Sequence, residues 1–261
     1  MPRYSDYKSA RIELDKIEQK PEKYLIIHYS CESFYNLNGK TPKIASISVR
    51  KFSNGQTMNF SIHQFAEILD IKISDDNYKT VEKELLTSFF SYVEKNYDKT
   101  WIHWNMRDNT FGFHAIEQRF KVLGGEPKII DDDKKVDLAY LFKNLYGGSY
   151  IDNPRIEKLL LKNKLQPNQF LSGAQEAEAF NSAQYNELSM STSSKVNTFS
   201  NFITYAINDQ LKTNVPKWKI RGTNIIGLYT TFTSTLFGKF LVWAINFIIG
   251  GIVGAMIAKY F

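Results

Sequence analysis

A stretch of nineteen residues without a charged side chain, Phe240–Ala258, constrains this chain more than any other part of it. Lys239 and Lys259 bracket it, and Asn246 is its one polar side chain. At ~1.5 Å rise per residue, a helix of that length just crosses a hydrocarbon core of ~30 Å. Within lipid, a single segment satisfies its backbone hydrogen bonds only as a helix. Residues 239–261 therefore read as a transmembrane helix and tail anchor.

Charge placement supports that reading. The formal net charge is +6 over 261 residues, which by itself points towards nucleic acid. The last carboxylate, however, is Asp209, and Lys212, Lys217, Lys219, Arg221, Lys239 and Lys259 follow it. Setting those six aside leaves 27 of the 33 basic residues, matching the 27 acidic ones. The upstream part is thus neutral overall. The basic stretch before the anchor reads as a positive-inside signal that also favours anionic lipid. It predicts a single pass with residues 1–220 in the cytoplasm.

Asn246, Gly250, Gly254 and Ala258 recur every four residues, with Gly251 and Ala255 beside them. Small residues at this spacing let helix backbones approach, and an amide in lipid seeks a partner. This face predicts a symmetric homo-oligomer, a tetramer being favoured. The plainer reading is glycine tolerance in a membrane helix. Asn246 either lines a polar path or only glues helices together. Upstream, residues 223–238 suit an amphipathic segment at the interface or an extension of the membrane helix. A second, short pass is the alternative.

About 220 residues precede the anchor, enough for one sizeable core. The lone Cys31 excludes an internal disulfide and fits a reducing cytosol. Residues 6–20 predict a charged helix stopped at Pro21. The apolar run Tyr24–Cys31 predicts a buried strand. Ile44–Lys51 and Thr57–Ile62 predict a hairpin around Ser53-Asn54-Gly55-Gln56. A helix over Lys79–Asn96, a strand over Thr100–Trp104 and a helix over Phe111–Leu123 follow. A strand over Lys128–Asp131 and a helix over Val136–Leu145 come next, then helices over Gly173–Leu188 and Lys195–Leu211. Ser189–Ser194 reads as a linker and helix cap. The implied organisation is an N-terminal helix (1–21), an α/β domain (22–190), a helical connector (191–222), the interfacial segment (223–238) and the membrane helix (239–261).

That order of elements resembles the ribonuclease-H-like fold of DEDD-type 3′–5′ exonucleases, over roughly residues 22–190. The family holds two divalent ions with four carboxylates, which activate water and stabilise the leaving oxygen. Its first motif is Asp-x-Glu on the first strand, where the period of two aims both side chains at one face. Here Ser30 and Glu32 occupy those places, and a serine hydroxyl is a poor ligand for a hard cation. The second motif resembles His103-Trp104-Asn105-Met106-Arg107-Asp108-Asn109, with Asn109 or, shifted by one, Asp108 in the metal slot. For the last motif the best match is Gly173-Ala174-Gln175-Glu176-Ala177-Glu178, which lacks the His; Tyr185 substitutes only at a different spacing.

The resemblance therefore implies a domain without catalytic residues, bound metal or cofactor, and so no enzyme. It retains a groove for short single-stranded nucleic acid at Ser30, Glu32, Trp104, Asn105, Arg107 and Asp108. Stacking rings and cationic side chains suit that task. His28 and His103 read as core histidines, and Asp131-Asp132-Asp133 as a solvated turn. Joined to an associating membrane helix, the architecture resembles the membrane channel effector of the Hailong anti-phage defence system. This implies a bacterial inner-membrane, oligomeric ion channel gated by an oligonucleotide. The alternatives are a membrane-tethered metal-dependent 3′–5′ exonuclease using Glu32, Asp108 and Glu178, and a tail-anchored scaffold.

Overall fold

The computed structural model describes residues 3–33, 41–107, 111–220 and 225–258, and side chains at 218, 230, 231, 234 and 252–258 lie outside that description. The chain divides into two compact units. One comprises Glu13–Leu141 and Asn153–Lys212; the other comprises Met1–Ile12, Phe142–Asp152 and Thr213–Phe261.

The first unit is built on five strands: β1 (Tyr24–Cys31), β2 (Ile44–Lys51), β3 (Thr57–Ser61), β4 (Thr100–His103) and β5 (Lys135–Asp137). Their order in the sheet is β3-β2-β1-β4-β5. The pairs β1/β2 and β2/β3 are antiparallel, and β1/β4 and β4/β5 are parallel. The chain is therefore α/β with a mixed sheet, as its sequence implies. At the β2–β3 hairpin Gly55 takes φ 75°, a left-handed conformation that glycine adopts without steric penalty.

The helices are α1 (Tyr4–Gln19), α2 (Ile62–Ile68), α3 (Tyr78–Lys95), α4 (Phe113–Val122), α5 (Leu138–Tyr146), α6 (Arg155–Lys162), α7 (Gly173–Asn181), α8 (Tyr185–Ile207), α9 (Lys217–Ile220), α10 (Ile225–Ser234) and α11 (Leu236–Ala258).

Period-two alternation gives the sheet two unlike faces. Leu25, Ile27 and Tyr29 of β1, Ile47 and Val49 of β2, and Trp101 of β4 join Leu85 and Phe89 of α3 in the hydrocarbon core. Each such side chain contributes roughly 1.5–3 kcal/mol by burial. Beneath them, Glu82 of α3 and Arg119 of α4 form a two-pronged ion pair, at 2.9 and 2.5 Å. Glu82 also accepts from the Ile44 amide at 2.6 Å.

The opposite face carries His28, Ser30, Ser46, Ser48 and Asn59, and α8 lies across it. Here the structure corrects the sequence reading. Ser189–Ser194 is no linker but the middle of α8, with Ser189, Ser191 and Thr192 buried, and the predicted helix over Gly173–Leu188 is two helices. The Thr192 hydroxyl donates to the Leu188 carbonyl at 2.6 Å and lies 3.2 Å from the Ser30 hydroxyl. Ser48 and Ser193 both donate to the Asn59 side chain at 2.8 Å. Hydroxyls that favour a loop when left to local partners find partners on the sheet instead. The break between α7 and α8 falls at Ala183, whose φ is 55°. The expected strand over Lys128–Asp131 is also displaced: β5 starts at Lys135, after a 3-10 turn over Asp132–Lys134.

In the second unit, α10 and α11 are separated by Thr235, whose hydroxyl bonds the Phe232 carbonyl at 2.7 Å and accepts from the Gly238 amide at 3.0 Å. A β-carbon on Gly238 would stand 1.8 Å from the Phe232 carbonyl oxygen, so this close turn requires glycine. With 10 residues, α10 is too short to cross a bilayer core alone. Phe240, Trp243 and Phe247 of α11 form a ladder of neighbouring rings and are 62–72% exposed. Among the described residues no helix is long and apolar enough to cross a membrane. The described side chains of α11 end at Gly251.

Candidate functional site

The ends of β1 and β4 lie side by side because the two strands are parallel neighbours, with Ile26 opposite Ile102. A cavity of about 510 Å3 opens there. Four residues singled out from sequence, Ser30, Glu32, Trp104 and Asn105, line it together. Glu176, from the predicted last motif, joins them from α7. Glu178 does not line it. Arg107 lines a separate cavity of about 380 Å3 with His103, Lys135 and Asp137. Asp108 and Asn109 lie outside the described residues. A larger groove of about 940 Å3 runs along the α2–α3 loop, but no sequence motif converges on it.

The groups in the first cavity are already engaged. Ser30 is buried under α8 against Thr192. Glu32 accepts from the Lys43 amide at 2.7 Å. Glu176 holds the Lys195 ammonium at 2.6 Å on one oxygen and accepts from the Ser191 hydroxyl at 2.9 Å on the other. Among the described residues no group of three His, Cys, Asp or Glu side chains is placed to hold a metal ion. Asn105 sits in the left-handed region at φ 52°, which asparagine tolerates better than most residues. Its amide faces the Asp137 carboxylate at 3.3 Å. The same Asp137 oxygen caps α5 through the Ala139 amide at 2.9 Å, and its other oxygen pairs with Arg107 at 2.5 Å.

The walls are aromatic. Phe111 stacks on Tyr29 at 4.6 Å, Trp104 stacks on Phe199 at 5.6 Å, and Phe170 lies under the Lys195 ammonium at 5.4 Å. Phe170, Glu157 and Lys195 escaped the sequence reading because they stand on helices and loops with no motif around them. A signal for Lys195 did exist: it is the only charged residue of α8 after Glu187.

His28 also lines the cavity, edge-on to Phe199 at 5.7 Å. Neither ring nitrogen hydrogen-bonds a described residue, and its Nδ1 is buried. Burial, aided by Lys195, pushes its pKa well below the usual histidine range. His103 projects to the opposite face of the sheet, where its Nδ1 accepts from the Met106 amide at 3.1 Å. Burial lowers its pKa to about 4, against the opposing pull of Asp137.

Both histidines therefore bind fewer protons folded than unfolded, so stability rises with pH across this window. It is fully present above the unfolded value of about 6.5 and is lost as pH falls towards the folded values. We predict a loss of about 1.4 kcal/mol per pH unit for each histidine between roughly pH 6.5 and 5. Urea unfolding midpoints measured across that range test this, and midpoints that hold steady or rise on acidification reject it.

No protein-family model matches the chain, and no curated protein matches it. The reading of the site therefore rests on its own geometry.

Proposed function

We propose that this chain is a membrane-anchored effector whose exonuclease-like unit binds a short single strand without cutting it. In this reading the bound strand controls an oligomeric ion channel formed by the C-terminal helix, with a tetramer favoured, in a bacterial inner membrane. One observation carries the binding half: the ends of β1 and β4 converge on a single ring-walled cavity. The strand order, with its antiparallel β2, is that of a ribonuclease-H-like sheet, and supports the resemblance. A volume near 510 Å3 suits one nucleotide unit rather than a length of strand.

The partners of the polar groups support the reading that the unit does not cut. An exonuclease would offer Glu32 and Glu176 to metal ions; here protein donors hold both. Ser30 brings no charge and lies under a helix. The anchor rests on the uncharged run 240–258 and on the exposed rings of α11, an apolar surface that calls for a non-aqueous neighbour.

The full chain in detergent is expected to bind short single-stranded DNA in a fluorescence-anisotropy titration, leaving the 3′ end intact with Mg²⁺ or Mn²⁺. Phe170→Ala removes one ring from the wall of the cavity and should weaken binding about tenfold, the scale of one base–ring stack. Trimming from the 3′ end that disappears in Glu32→Ala would install the tethered exonuclease instead. Absence of binding to any single strand at low salt would remove the reading.

A further inference from the structure

The cavity beside β1 is acidic inside. Among the described residues it brings Glu32, Glu157 and Glu176 together with one cation, Lys195, which Glu176 already holds at 2.6 Å. A phosphate entering here would meet more negative than positive charge. The interior favours an uncharged group that donates hydrogen bonds. Glu157 and His28, both in the wall, remain without hydrogen-bond partners among the described residues. Glu157, half-buried on α6, makes no hydrogen bond or ion pair with them. His28, 6% exposed, makes no hydrogen bond with them through either nitrogen. A buried polar group left without a partner is costly, so a partner arriving with the ligand is worth more than one met in water.

We propose that this cavity selects a nucleobase bearing an exocyclic amino group, with Glu157 accepting its N–H and His28 completing the contact along the base edge. The inference rests on the oligonucleotide-binding reading and narrows it to a class of base. Cytosine and adenine carry such an amine, whereas thymine presents only a ring N–H and carbonyl acceptors. A carboxylate accepts from the amine and repels those carbonyls. Phe111 and Phe170 both line the cavity and offer rings for the base to pack on, while the phosphates stay outside.

The test uses the full chain in detergent with short homopolymers of dC, dA and dT. The decisive comparison is dC against dT, since both are pyrimidines of similar size and stacking strength. We expect dC to bind at least tenfold tighter than dT. Glu157→Gln, nearly isosteric and half-exposed, should erase most of that ratio. His28→Phe should weaken dC binding at least threefold with little change for dT. Equal binding of dC and dT overturns this inference and leaves single-strand binding standing. So does an unchanged ratio in Glu157→Gln. Failure of every homopolymer to bind overturns the inference together with the reading beneath it.

Discussion

An Arg119→Met variant is expected to lose about 3–5 kcal/mol of unfolding free energy, the largest stability effect we foresee for a single substitution. Glu82 is 0% exposed, and Arg119 supplies two of its donors. Burial already pushes the Glu82 carboxyl upward, with Arg119 pulling the other way. Without Arg119 a buried carboxylate keeps only the Ile44 amide and must take up a proton or unfold the site. The double variant Arg119→Met, Glu82→Gln should recover more than half of the loss, because it removes the charge along with its partner. Urea unfolding of the full chain in detergent, followed by tryptophan fluorescence, provides the measurement. A single variant within about 0.5 kcal/mol of the parent would mean that the pair is not the buried keystone described here.

The second large effect is the expected loss of the proposed assembly in Gly250→Leu. A β-carbon at Gly250 meets nothing within 4 Å among the described residues. A first carbon there meets no described atom, so the substitution is not expected to disturb the fold of one copy. It can act only on a neighbouring helix or on lipid, and close helix approach needs a small residue. We expect the variant to insert normally, to run as a monomer by mass measurement in detergent, and to carry no ion flux in liposomes. Ile248→Phe adds bulk about 200° away around the helix and should leave assembly intact. An oligomer that survives Gly250→Leu with unchanged flux would reduce α11 to an anchor.

What the sequence disclosed follows a physical divide. β1 and β2 were legible end to end, since Pro21 and the hairpin residues punctuate unbroken apolar or alternating runs. The convergence of Ser30, Glu32, Trp104 and Asn105 was legible too, because strand periodicity and strand adjacency fix it. β5 was not: a strand of 3 residues has no periodicity to read, and the apolar pair Ile129-Ile130 drew attention upstream. The α7–α8 break was hidden for a similar reason, since Ala183 is neither glycine nor proline yet turns left-handed. Ser189–Ser194 misled most. Its Thr192 and Ser193 hydroxyls meet Ser30, Ser48 and Asn59, more than a hundred residues away, and composition is silent about partners so distant.

That serine- and threonine-rich seam has a consequence of its own. Hydrocarbon packing governs how much volume lies between a helix and a sheet, but it tolerates a small slide along the axis. A hydrogen bond tolerates less, because it is short and directional. Thr192 against Ser30, and Ser193 against Ser48 and Asn59, act as index pins along α8. Lys195 stands three residues beyond Thr192, so its distance to Glu176 is set by those pins. The wall of the cavity is thereby dimensioned by contacts on a neighbouring stretch of the same helix, and the sheet serves as its ruler.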